Sequence, residues 1–340
     1  MRGVSLAVLA AVLFGASTPL SKSLLGSLPP QFLAGLLYFS SGLSLSLWNL
    51  GRPRTSPVPA GQRGWLALAI LCGGVLGPVL LLTGLRLTAG STASLMLNLE
   101  GVLTALIAWF VFKENFDGRI LLGMLCIVAG GVLLSWRGGF AWNGGAGLIV
   151  AACLCWALDN NFTQKVSAGD PLRIAALKGI SAGTFNLILA AGLGQVQWPS
   201  APILAGAALT GTLGYGVSLA AFVAALRHLG TARTGAYFSL APFVGASLSL
   251  LLFHEPLTTR FGAAALLMAA GVYLHLTENH DHEHTHEELE HEHEHIHDEH
   301  HQHSHEPGQD PAQPHTHRHQ HSSLRHKHPH YPDLHHRHEH

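Results

Sequence analysis

The chain has 340 residues, 48 % of them hydrophobic and 11 % charged, with a formal net charge of −1. That balance hides two opposed bodies: residues 1–277 hold 15 Lys and Arg against six acids, a charge of +9, whereas residues 278–340 hold four bases against 14 acids, a charge of −10. A water-soluble domain is excluded for the first body, because soluble helices keep a charged face, whereas these runs are apolar all round, as membrane spans are.

At about 20 apolar residues per crossing, ten spans are expected, at 3–25, 31–50, 64–85, 90–112, 118–136, 144–165, 173–194, 202–226, 232–253 and 260–277. The fold class is therefore an all-α integral membrane protein. Arg2 ahead of an apolar run ending near Ala16 and Ser17 has the form of a signal peptide. The internal repeat described below argues instead that this span is retained. The longest connection, GRPRTSPVPAGQRG at 51–64, reads as a solvated loop.

Few polar groups interrupt the spans. Glu100 falls eleven residues into the fourth, near the bilayer centre, where an acid usually faces a cavity or a partner. It is a candidate for proton exchange or for the substrate site, the alternative being a protonated acid bonded to a neighbouring helix. Asn98 lies two residues earlier and is expected to point elsewhere. Asp159, Asn160 and Asn161 lie together in the sixth span and cover most of a helical turn, so at least one faces the interior whatever the helix rotation. They read as a half-site, or as interhelical hydrogen-bonding glue. Lys178, one turn into the seventh span, is expected to snorkel to the surface, or else to serve as counter-ion to Glu100 or Asp159. Tyr38, Asn186, Tyr215 and Tyr237 are weaker polar candidates. The four cysteines, Cys72, Cys126, Cys153 and Cys155, all sit in apolar runs and read as buried hydrophobes. Gly73 with Gly77, and Ala265 with Ala269, have the four-residue spacing of close helix packing.

The spans repeat. At a shift of 141 residues, Leu85-Arg86 meets Leu226-Arg227, Leu99 meets Leu240, Ala105 meets Ala246, Phe112 and Glu114 meet Phe253 and Glu255, and Arg119 meets Arg260. At nearly the same shift, Phe14-Gly15 meets Trp156-Ala157. The domains expected are a first five-helix repeat at 1–137, a second at 138–277 and a tail at 278–340. Five is odd, so the two copies run through the bilayer in opposite senses. Inverted repeats place a substrate site at the midplane and expose it alternately to either side. Glu114 with Arg119, and Glu255 with Arg260, are expected to pair and fix the turns that follow spans 4 and 9.

The positive-inside rule assigns ten basic residues to one side and four to the other, with both termini in the cytoplasm. A bacterial inner membrane is the expected location.

From residue 278 the pattern changes to alternating His and acid, as in HDHEHTHEELEHEHEHIHDEH, and 23 of the 26 histidines lie at or beyond His280. No core can form from such a sequence, so disorder is expected. Imidazole suits Zn, Ni, Co and Cu, and His280, His282, His284, His286, His291, His293, His295, His297, His300, His301, His303 and His305 are the candidate ligands. A buffer, a sensor, a loading device for metal export and a pH-responsive polyelectrolyte all remain open for this tail.

These residues resemble the EamA-type permeases of the drug/metabolite transporter superfamily. The likeness rests on the five-plus-five spans, on Phe112-Lys113-Glu114 and Phe253-His254-Glu255 closing the fourth span of each half, and on Phe14-Gly15 with Trp156-Ala157. The Gly-rich fifth spans, with Ala129-Gly130 and Ala270-Gly271, also fit. The resemblance implies a ten-helix secondary transporter over residues 3–276 and leaves the cargo open. Members carry a proline step within spans 4 and 9; here Pro242 supplies it in the second half and Gly101 stands in the first.

The function expected is a proton-coupled permease working by alternating access. Its cargo is either a divalent metal (Ni, Co or Zn), or a metabolite or drug with a tail that merely binds metal. A membrane-anchored metal sensor is a different class of answer. No nucleotide-binding loop and no nucleophile–base pair is present, so neither an ATP-driven pump nor an enzyme is expected. No cofactor is expected for transport. The expected partners are the lipid bilayer and a small-molecule or metal-ion substrate, with a homodimer allowed and no nucleic acid.

Overall fold

The computed structural model describes residues 2–50, 60–112, 118–135, 144–166, 170–196 and 198–276, and in the tail 281–286, 289–295, 315–321 and 324–329. Two units emerge, Met1–Thr277 and Glu278–His340.

The first unit is helical. Spans 1 and 2 are α1 (Arg2–Leu24) and α2 (Pro30–Asn49), the latter starting on a proline, whose missing N–H is harmless at a helix start. Span 3 is α3 (Arg63–Ala69), a π-helical turn at Ile70–Leu76, and α4 (Gly77–Leu87). Span 4 is α5 (Gly90–Met96) followed, after a break at Leu97, by α6 (Asn98–Phe112). Next come α7 (Gly118–Ser135), α8 (Gly144–Gln164) and α9 (Pro171–Gly192), the last capped by the Asp170 carboxylate, which accepts from the Leu172 amide. Span 8 is α10 (Ala201–Thr210), a second π-helical turn at Gly211–Val217, and the first part of α11 (Ser218–Phe238). Span 9 finishes with α12 (Ala241–Phe253), and span 10 is α13 (Thr259–Leu276). Among the described residues, six continuous stretches are long and apolar enough to cross a bilayer: Gly3–Leu24, Arg63–Leu87, Gly90–Val111, Gly144–Thr163, Leu172–Gly192 and Ala201–Ala225.

These ranges follow the expected spans closely. One connection differs: α11 stays helical through residues 227–231, where the sequence predicts a turn. No proline lies between Arg227 and Pro242, so nothing obliges the backbone to leave the helix there.

The repeat is visible in the backbone. The two π turns stand 141 residues apart, and in each the closing amide reaches back five residues, Gly77 to Cys72 and Ser218 to Leu213. Packing follows the same relation. Helix α2 packs on α9 and α7 on α13, each against its counterpart, while α1 packs on α11 and α12 as α8 packs on α4 and α6. All four cysteines are free.

The second unit holds strands β1 (Asp281–His286), β2 (Leu289–His295), β3 (His315–His321) and β4 (Leu324–Pro329). They form two separate two-stranded antiparallel ribbons, β1 with β4 and β2 with β3. Disorder is the expectation from sequence for this segment, and a lone two-stranded ribbon is marginal at best in water.

Candidate functional site

The polar residues of span 6 all find partners, each in a different direction. The Asp159 Oδ1 accepts from Lys178 Nζ of α9 at 2.5 Å and from Thr163 Oγ1 at 2.9 Å. Lys178 also donates to Thr163 Oγ1 at 3.1 Å. Lys178 thus takes the counter-ion role. The snorkelling expectation is corrected, because a strong charge-assisted bond lies within reach one helix away.

One residue on, Asn160 Nδ2 donates to Glu100 Oε1 of α6 at 2.9 Å and lies 3.3 Å from Thr104 Oγ1. Asn161 Nδ2 donates to Ala157 O within its own helix at 2.8 Å and approaches Thr104 O at 3.4 Å. Helix α8 therefore carries a two-sided polar cluster, an ion pair toward α9 and an amide–acid contact toward α6. Asp159 is buried, Glu100 is half-buried and Asn160 is exposed.

Glu100 stands in the first turn of α6, directly after the break at Leu97. The helix breaks here without a proline, and Gly101 stands within the first turn of α6. At the break the Glu100 amide bonds the Leu97 carbonyl three residues back, and the Asn98 side chain donates to Leu95 O at 2.9 Å. Asn98 thus serves the backbone at the break. The matching break in span 9 falls at Ser239 and Leu240, with Pro242 in the first turn of α12.

A second layer holds the cluster from behind. The Gly73 carbonyl, inside the first π turn, accepts from Tyr38 Oη and from Trp156 Nε1, both at 2.9 Å. The next carbonyl, Gly74 O, accepts from Asn186 Nδ2 at 2.9 Å, and Asn186 Oδ1 accepts from Gln31 at 2.7 Å. A π turn frees a carbonyl from the α ladder, and here side chains of α2, α8 and α9 converge on two of them. Gly73 itself must be glycine: a Cβ there would overlap the Asp159 carboxylate. Its spacing to Gly77 reads from sequence as generic helix packing, and the structure makes it part of the site. Tyr215 stacks at a tilt on Tyr38, with centroids 5.4 Å apart, and sits edge-on to Phe14 at 5.9 Å.

The family model described as EamA-like transporter family matches residues 1–136 and 143–277. The chain belongs to the EamA-like transporter family. It is a membrane transporter of the drug/metabolite type. An uncharacterised transporter of Methanothermobacter thermautotrophicus is 27 % identical over 78 % of this chain and 84 % of its own length. A Salmonella typhimurium protein named a probable amino-acid metabolite efflux pump is 26 % identical over 80 % of this chain and 93 % of its own length. A solved crystal structure shares the fold at a TM-score of 0.60 and 17 % identity, over 81 % of this chain and 96 % of that one.

Of the remaining residues expected to matter in this EamA-like chain, Glu114 lies outside the described residues. Arg119 and Arg260 stand in the first turns of α7 and α13. Glu255, paired with Arg260 in the sequence reading, directs both carboxylate oxygens across the bundle to Gly90 and Ser91, a contact no local spacing reveals. In the tail, β1 carries His282, His284 and His286, and β2 carries His291, His293 and His295. The register places His284 opposite His326 and His293 opposite His317. His280, His297, His300, His301, His303 and His305 lie outside the described residues. Among the described residues, no group of three or more His, Cys, Asp or Glu side chains is placed to hold one metal ion.

Proposed function

We propose that the chain is a proton-coupled secondary exporter that works by alternating access on a small amphoteric organic solute. The observation that carries this reading is the Asp159–Lys178 ion pair standing beside the Glu100–Asn160 contact on a single helix. An exposed Asn160 one turn before the end of α8, joined to a half-exposed Glu100 inside an apolar span, is tolerable only against water or a polar cargo, so this end of the cluster faces the transport cavity. A solute bearing both an amine and a carboxylate finds an acceptor in Glu100 and a donor in Lys178. The relationship to the amino-acid metabolite efflux pump supports export of such a solute. Glu100 carries the exchangeable proton, and Asp159 with Lys178 is the pair that the cargo's own charges disturb.

A divalent cation fits this cavity less well, since the fixed ammonium of Lys178 repels it at the point where the carboxylates gather. The second reading, export of Ni, Co or Zn, rests on the histidine-rich tail, which we take to be a cytoplasmic metal buffer or sensor. The protein then sits in a bacterial inner membrane with both termini in the cytoplasm.

The test is flux through sealed proteoliposomes under an imposed pH gradient, with the full-length chain and with a chain ending at Thr277. Amino acids and Ni, Co or Zn salts are offered separately. Amino-acid flux in both chains, without metal flux, is the result expected. Metal flux in both would replace the organic cargo by metal, and loss of every phenotype on truncation would favour the sensor.

A further inference from the structure

Away from the polar cluster, a second group of contacts pins the two repeats together at one end of the bundle. Glu255, two residues beyond α12, accepts from the Gly90 amide at 2.6 Å, the Ser91 amide at 2.9 Å and the Ser91 hydroxyl at 2.5 Å. A carboxylate of the second repeat thus holds the start of α5 in the first. Beside it Lys22, near the end of α1, donates to Leu85 O at 2.9 Å and to Thr88 O at 2.5 Å, and stands 5.9 Å from the centre of the Phe253 ring.

Deeper along the same interface, α1, α5 and α12 approach backbone to backbone. A Cβ added at Gly245 of α12 would stand 2.8 Å from Gly15 O of α1 and 2.8 Å from Ser94 Oγ of α5. One at Gly90 would stand 2.8 Å from Ser249 Oγ. Ser94 and Ser249 are both 0 % exposed, and neither hydroxyl has a hydrogen-bond partner among the described residues. Several helix hydroxyls elsewhere in this chain are satisfied by the carbonyl three or four residues back, as Ser46 is by Gly42, Thr83 by Val79 and Ser135 by Gly131. Two buried hydroxyls left unbonded in one tight seam between repeats call for a reason. Water supplies their bonds if the seam opens.

We propose that the α1–α5–α12 seam is the closed leg of the permeation path and that Glu255 is its latch. Opening withdraws α12 from α1 and α5, frees the Gly90 and Ser91 amides, and wets Ser94 and Ser249. With the proposed orientation this leg leads to the extracytoplasmic side. The proposal rests on the alternating-access reading and adds to it the route and the group that holds it shut.

The experiment uses full-length protein in detergent micelles, with the four native cysteines replaced by alanine and a single Ser94→Cys or Ser249→Cys introduced. Labelling by a charged, membrane-impermeant thiol reagent is timed with Glu255 intact and with Glu255→Gln. The glutamine keeps one acceptor oxygen, loses the charge and sets an N–H donor against either the Gly90 or the Ser91 amide, so labelling should quicken about tenfold or more, as the loss of a charge-assisted bond implies. Ser91→Ala removes one contact of the three and should give a smaller rise, which keeps the test alive if Glu255→Gln fails to fold. Equal labelling rates in folded variants with and without the latch overturn the proposal. Faster labelling in a protein that moves no solute would uphold the latch and remove the transport reading, so the two failures are separable.

Discussion

Lys178 shows what a single charge can decide inside a membrane bundle. Removing one partner of a buried pair strands the other, whereas removing both leaves no uncompensated charge. Lys178→Met is expected to lower stability by about 3 kcal/mol, and adding Asp159→Asn should recover most of it; thermal unfolding in detergent compares both variants with the wild type. Glu100→Gln keeps the contact with Asn160, since the amide oxygen accepts as the acid does, but it removes the proton that Glu100 is proposed to exchange. Flux driven by a pH gradient should vanish while solute counterflow persists, and pH-driven flux equal to the wild type would take Glu100 out of the coupling role. Gly73→Ala is the strictest test of the wiring behind the site. The added methyl overlaps the Asp159 carboxylate, so transport should fall more than the roughly tenfold that follows from about 1.4 kcal/mol of misplacement, although alanine is the better helix former.

At the scale of the element, the instructive features are the interruptions. Spans 3 and 8 carry π turns and spans 4 and 9 carry breaks, and in both cases the pairs lie at positions matched by the repeat. Each interruption releases backbone groups that a continuous helix would consume, which in a bilayer is tolerated only where other protein groups or water satisfy them. Tyr38, Trp156 and Asn186 do so in span 3. Gly101 belongs to no such contact: nothing lies within 4 Å of a Cβ placed there. Gly101→Ala should therefore stabilise α6 by about 0.5–1 kcal/mol, the helix-propensity difference, with flux retained; a fall in the unfolding temperature would show that the glycine has a conformational task. The ten spans were legible because apolar length is a strong signal in a membrane chain. The π turns were not, since a one-residue widening leaves composition unchanged and the glycines at 73–74 look like ordinary packing residues.

For the whole molecule, the two bodies separate in composition and in structure at the same place, Thr277. The transporter body interlocks its repeats through α2 on α9, α7 on α13, α1 on α11 and α12, and α8 on α4 and α6, all of them contacts within Met1–Thr277. A chain ending at Thr277 should fold with an unchanged unfolding temperature and, if the tail is the metal buffer or sensor proposed above, should bind fewer Zn or Ni ions than the full chain, as measured by calorimetric titration. Metal capture by the full chain should weaken as pH falls from about 7 to 5, because an imidazole must be neutral to coordinate and protons compete for the same nitrogen. Capture that holds its strength at pH 5 would assign the ions to the carboxylates instead.

The sequence by itself determined the membrane character, the ten spans and the repeat, because each is written in hydropathy or in self-similarity along the chain. It also marked Glu100 and Asp159, since charge inside an apolar run stands out. Only the tertiary structure decided that Lys178 turns inward to Asp159, that Asn160 meets Glu100, and that Glu255 reaches from one repeat to the other. Those outcomes depend on helix rotation and on partners 19 to 165 residues away along the chain. Neither rotation nor neighbour is fixed when a span is apolar on every side, because burial in lipid then favours no face over another.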